Sequence, residues 1–312
     1  MTTARGAFGC PHPRRRRDSA LMHDEADHDI FALCVHHRHA LTPHRRGTDM
    51  LRRFAPPITS LLLLAACVSL PGSRGADTIT PRRTRVVTHV VTHDAKLIGS
   101  AVGGVRVVIR DAVTDRILAE GRHDGATGDT KRIMQEPRTR GDTIFKAADG
   151  ARYEASISIA VPTMVEVSAE GPLGYPDQMA RASKRLLLLP GRDVGGDGIV
   201  LELHGYVIDL MAPDTTQALS AAGSLRIRAR VRMLCSCPTQ TGGMWEVSDV
   251  VARLVRNNVV ARQTTLAYSG EQSVYAGELG PVEPGVYDLE VIAANPTAAT
   301  FGVVRRRVTI AR

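Results

Sequence analysis

The chain has 312 residues, with 40 Lys and Arg against 32 Asp and Glu and only 4% aromatics. Its charge of +8 is spread out: residues 1–67 hold ten basic residues against six acids, and residues 68–312 hold thirty against twenty-six. The main body is therefore only mildly cationic, which argues against a nucleic-acid partner, and its core must rest on Val, Leu, Ile and Ala.

Residues 1–49 show no apolar periodicity. They carry Arg14 to Arg17, the run His36-His37-Arg38-His39 and seven of the eleven histidines. Such tracts suit metal or nucleic acid in some settings. Two readings stand, a cytoplasmic extension or a start placed too early, with translation beginning at Met50. An export signal then follows in order. Met50-Leu51-Arg52-Arg53 is a short basic start, Phe54 to Ala66 is an apolar stretch too short to span a bilayer, and Ala65 and Ala66 are small.

The run Leu64-Ala65-Ala66-Cys67 resembles the bacterial lipobox that closes a lipoprotein signal peptide. The resemblance implies that residues 50–66 are removed and that Cys67 becomes a lipidated first residue, anchoring the protein to a membrane. A diacylglyceryl group supplies two chains, each methylene contributing about 0.8 kcal/mol, so no transmembrane helix is needed. In Gram-negative lipoproteins, aspartate after the cysteine favours inner-membrane retention. Val68 stands there, so the resemblance implies the outer membrane.

Residues 67–81 are rich in Ser, Pro and Gly and read as a flexible tether. From Arg82 short β-like segments begin: Thr84 to His93, Val105 to Arg110, Ile117 to Gly121, Tyr153 to Ile159 and Thr163 to Ala169. Met179 to Lys184 reads as a short helical turn. Leu186 to Leu189 reads as a strand buried on both faces, stopped by Pro190-Gly191. Asp-Gly steps at Asp124, Asp149 and Asp197 suit tight turns. The stretch from Gly103 to Asp111, then Ile117-Leu118-Ala119-Glu120-Gly121 and Gly125 to Thr130, resembles the prealbumin-like, carboxypeptidase regulatory-like module. That resemblance covers roughly residues 86–130 and implies a non-catalytic seven-stranded sandwich, expected over residues 82–203.

A second module is expected over residues 204–312. Its first strand is Tyr206 to Met211. Its clearest strand follows: Leu225, Ile227, Ala229, Val231, Met233 and Cys235 on one face, Arg226, Arg228, Arg230 and Arg232 on the other. Asn257-Asn258 separates two apolar segments and predicts a type I′ hairpin. The run from Pro284 to Val291, with Tyr287, resembles the late strand of bacterial immunoglobulin-like domains, where a tyrosine packs at a corner. The expected fold class is all-β: two antiparallel β-sandwich domains, prealbumin-like then Ig-like, behind a lipoprotein signal peptide.

Chemistry is sparse. Cys235 and Cys237 share a face if the strand continues, at about 6.6 Å between Cα atoms, near the limit for bridging. Three readings stay open: a local disulfide after a bend at Pro238, two buried thiols, or a copper or zinc site completed by Met233 or Met244. His89 and His93 lie about 13 Å apart on a strand, too far for one ion, and read as exposed. His123 and His204 read as isolated, Asp193 and Asp197 as a solvated turn rather than a calcium loop. The arginine row reads as a solvated face unless it meets anionic lipid or a partner. No nucleophile elbow, HExxH run, phosphate loop or dinucleotide fingerprint is present. The expected function is a lipid-anchored, non-enzymatic binding or scaffolding module of the envelope, without a firm cofactor. Its partner is expected to be another envelope protein or a cell-wall polymer. The alternative is copper or zinc handling at Cys235 and Cys237.

Overall fold

The computed structural model describes residues 79–221 and 223–312. The head, the expected export signal, Cys67 and most of the expected tether lie outside the described residues. Among the described residues no helix is long and apolar enough to cross a membrane.

The protein is all-β. The first sandwich uses β1 (Arg82–Thr92), β2 (Val105–Asp111), β3 (Ile117–His123), β4 (Tyr153–Ile159), β5 (Thr163–Gly171), β6 (Ala180–Leu188) and β7 (Val194–Leu203). One sheet runs β4-β1-β7 and the other β3-β2-β5-β6. Alternation in β4 and β5 turns Ala155, Ile157, Val165 and Val167 inward, where they meet Val86, Val90, Val107 and Ile109. Each such valine or isoleucine contributes about 1.5–3 kcal/mol by leaving water. The edges of the two sheets are tied where the Lys184 ammonium donates to the Val200 carbonyl at 2.9 Å.

The second sandwich uses β8 (Tyr206–Ala212), β9 (Leu219–Ser220), β10 (Leu225–Met233), β11 (Asp249–Arg256), β12 (Val259–Thr265), β13 (Ala267–Tyr268), β14 (Val274–Leu279), β15 (Gly285–Asn295) and β16 (Thr300–Ala311). Its sheets run β13-β14-β10-β8 and β12-β11-β15-β16-β9, an immunoglobulin-like order. The Tyr287 hydroxyl donates to the Glu283 carbonyl at 2.8 Å, closing the expected tyrosine corner. Asn257 and Asn258 both take positive φ, 49° and 62°, as a type I′ turn requires. Pairing between these strands is antiparallel except β1 with β7 and β16 with β9, which run parallel.

Two local expectations are corrected. Met179 to Lys184 is not helical. Its helical turn is Pro176–Gln178, and Ala180 already pairs with Gly171 as β6 opens. The four-leucine run is not buried on both faces. As an edge strand, β6 buries Leu188 but leaves Leu187 53% exposed, because only one of its faces meets the opposite sheet.

Candidate functional site

Only His204 and Gly205 separate β7 from β8. Instead of hinging there, the two sandwiches interlock. Val207 and Leu234 pack into the first core, and Ala95 packs into the second. The Gln178 side chain accepts the Ile208 N–H at 2.7 Å and donates to the Ile208 carbonyl at 3.0 Å, occupying the edge of β8 as a neighbouring strand would. Trp245 Nε1 donates to the Asp94 carbonyl at 3.1 Å, and Arg306 pairs with Asp177 at 3.4 Å. Arg232 reaches Asp209 at 2.8 Å and also donates to the Tyr175 hydroxyl.

The four histidines of the described residues gather into two pairs at this end of the first sandwich. His123 is fully buried. Its Nε2 accepts the Val90 N–H at 3.0 Å, so Nδ1 carries the proton and donates to the Ile98 carbonyl at 3.0 Å. The ring takes the place of a peptide unit, because β4 pairs with β1 only as far as Thr88. Burial, with His89 nearby, pushes the His123 pKa down to about 4.

His89 is also buried, at 2% exposure, which corrects the expectation of an exposed residue. The cause is Asp197. Its carboxylate accepts the N–H groups of Ile144 and Phe145 at 2.7–2.9 Å, drawing the Phe145 ring to 4.9 Å from that of His89. Asp197's own carbonyl lies 2.8 Å from His89 Nδ1. Burial lowers the His89 pKa. Asp193 accepts the Arg85 N–H at 2.8 Å. Both carboxylates therefore accept backbone N–H groups; Asp193 stays exposed in its loop as expected, while Asp197, half-buried within β7, corrects the solvated-turn reading.

The second pair faces outward. The His93 and His204 rings stack with centroids 4.0 Å apart and planes 15° from parallel. His93 Nδ1 lies 2.8 Å from a Glu202 carboxylate oxygen, and His204 Nδ1 lies 3.2 Å from the Ala299 carbonyl. One ligand atom from each of His93, Glu202 and His204 falls within 4.8 Å of the others. His204 is thus not isolated. The parallel register sets Thr92 beside Leu203, so the next residues on each strand meet. The one sequence signal was Glu202-Leu203-His204, whose spacing of two places both polar groups on one face. A cleft of about 720 Å³ opens beside them, lined by His93, Glu202, Ile133, Met134, Phe145 and Lys184 among others.

The remaining expected site residues lie elsewhere. Cys235 and Cys237 are joined by a disulfide, their Cα atoms 5.3 Å apart. β10 ends at Met233, and Ser236 at φ 67° turns the chain so that the cysteines do not follow extended spacing. In this state neither sulfur is a thiolate ligand. Met233 is buried in the second core and Met244 is 47% exposed. The arginine row is charge-compensated rather than free. Arg226 faces Glu278 at 3.9 Å, Arg228 and Arg230 face Glu271 at 2.7 and 3.7 Å, and Arg232 pairs with Asp209.

No family model and no curated protein matches this chain. Among solved structures it is similar to the fibronectin(III)-like modules of Clostridium thermocellum CbhA, at 14% identity over 73% of this chain and 92% of that one, with a TM-score of 0.24. It is similar to a DUF3823 family protein from Parabacteroides merdae, at 8% identity over 74% and 99%, with a TM-score of 0.23. A tip fimbrial protein from Porphyromonas gingivalis aligns at 8% identity over 74% and 82%, with a TM-score of 0.25. An engineered protein aligns at 21% identity and a TM-score of 0.27 over 40% of this chain, which spans 24% of that protein. Such scores carry no argument, and the sandwich assignment rests on the sheets themselves.

Proposed function

We propose that this chain is a cell-envelope protein, lipid-anchored at the outer membrane through Cys67. Its joined sandwiches act as a non-catalytic binding or scaffolding element toward another envelope protein or a wall polymer. The supporting observation is the interlocked junction, in which each sandwich contributes residues to the other's core. A body held in one orientation keeps a bound partner at a set place relative to its anchor, whereas closure of domains over a substrate needs a hinge. The anchor reading is supported by Leu64-Ala65-Ala66-Cys67 behind a basic and then apolar stretch. On this reading residues 67–81 are the tether and residues 82–203 a prealbumin-like module.

The test is fractionation of cells producing the full chain and its Cys67→Ser variant. The parent is expected in the membrane fraction, with a lipid mass on the Cys67 peptide, and the variant in the soluble fraction. A soluble parent that retains residues 1–66 with an unmodified Cys67 overturns the anchor. Binding is read by in-cell crosslinking and by co-sedimentation with isolated cell wall. Failure of both overturns the scaffolding role.

A further inference from the structure

We propose that His93, Glu202 and His204 form a binding site for a divalent transition-metal ion, of the zinc or copper(II) class, at the junction of the two sandwiches. The donor set is two imidazoles and a carboxylate, which suits these ions. The His204 Nδ1 sits against a carbonyl, which can only accept, so the ring proton is on Nδ1 and the lone pair on Nε2. The His93 Nδ1 sits against a carboxylate, which places its lone pair on Nε2 in the same way. His204 is thus held by the nitrogen that does not ligate, as metal-binding histidines commonly are, whereas Glu202 would leave its contact with His93 Nδ1 to become a ligand itself.

The distances are close to what coordination needs. Ligand atoms around a tetrahedral zinc with bonds of 2.0–2.1 Å stand about 3.3 Å apart. Here they lie within 4.8 Å of one another; ligation requires the two rings to turn out of their stack so that both in-plane lone pairs meet at the ion, with a closure of about 1.5 Å, and side-chain rotation supplies both. The residues have room to move, since the His93 side chain is 30% and the Glu202 side chain 49% exposed. The backbone beneath is fixed by the His93 N–H donating to the Leu203 carbonyl at 2.8 Å. Three protein ligands leave one tetrahedral position for water or a partner's side chain. The ion would tie the end of β1 to the segment linking the sandwiches, so its loading and the rigidity of the junction are coupled.

The test uses the full chain, stripped with chelator and titrated with zinc chloride by calorimetry. The seven histidines of residues 1–49 are common to parent and variants, so the difference between them reports the junction. The parent is expected to bind one zinc more than the His93→Ala/His204→Ala variant. Excess zinc is expected to raise the parent's Tm and leave the variant's unchanged. Equal stoichiometry and equal Tm response overturn the site. Glu202→Gln keeps the size of the side chain and guards against a misfolded double variant. Loss of a ligand costs at least what loss of a partner that only orients a ligand does, so this substitution is expected to weaken zinc binding at the junction by about 10-fold or more, and an unchanged affinity overturns the proposal.

Discussion

His89 and His93 stand four residues apart on one strand and its extension, yet the structure gives them opposite surroundings. His89, with His123, is sealed beneath Phe145 and held by backbone groups. His93, with His204, stacks at the surface with a carboxylate at hand. What separates the pairs is burial and, for His123 against His204, which atoms engage the ring. Backbone partners on both nitrogens of His123 use up its lone pair, and a structural role results. Engagement of one nitrogen leaves the other's lone pair available, and a ligand role becomes open. Residue type alone distinguishes nothing here.

The largest expected effect breaks the inner pair. His123→Leu keeps the volume but leaves the Val90 N–H and the Ile98 carbonyl buried and unpaired, at a cost of about 3 kcal/mol. Chemical denaturation measures it, and a loss under about 1 kcal/mol contradicts the peptide-surrogate role. The same residue sets a pH dependence. Its folded pKa, about 4, lies below the unfolded value of 6.5, so below 6.5 the unfolded chain binds the proton more readily. Stability is complete above pH 6.5 and falls as pH drops toward 4. The loss attributable to His123 is about 2 kcal/mol at pH 5. His89, also lowered, adds in the same direction. A His123→Gln variant is expected to flatten the profile between pH 6.5 and 5. An unchanged slope in that variant assigns the effect elsewhere.

A smaller effect tests the junction that holds both pairs in place. Gln178→Ala removes two hydrogen bonds to Ile208 and frees the edge of β8. Water reaches this half-buried site, so the cost is about 1–2 kcal/mol. Hydrogen exchange at the Ile208 amide is expected to quicken while amides deep in either core stay protected. Protection at Ile208 unchanged by the substitution shows that the amide bracket is dispensable.

Much of the fold was legible because its signals are local. The period of two from Leu225 to Met233, the Asn257-Asn258 turn and Tyr287 each announce themselves within a few residues. What was missed depends on pairing between distant segments. β6 is a strand because β5 lies beside it, although Ala182, Lys184 and Arg185 are good helix formers. The burial of His89 depends on Asp197 drawing in Phe145 from fifty residues away along the chain. The meeting of His93 with His204 needs the parallel register of β1 and β7, and no pattern in either segment carries it. Gln178 had no signal, since nothing in sequence marks a side chain that stands in for a strand.

The smallest expected effect concerns the outer pair without metal, and it gives the comparison its sharpest form. In chelator, His93→Ala/His204→Ala removes a partly exposed stack and a surface contact with Glu202. Exposed ion pairs contribute about 0–1 kcal/mol and aromatic pairs about 0.5–1.5 kcal/mol beyond area burial. The backbone bond from His93 to Leu203 survives the substitution. The expected loss is therefore about 1 kcal/mol, a third of that for His123→Leu. Paired denaturation curves in chelator at neutral pH decide it. A loss as large as that for His123 means that both pairs hold the fold, and the contrast between a sealed and an open pair fails. A small loss that grows when the parent alone is loaded with zinc places the junction's stability under the control of an ion.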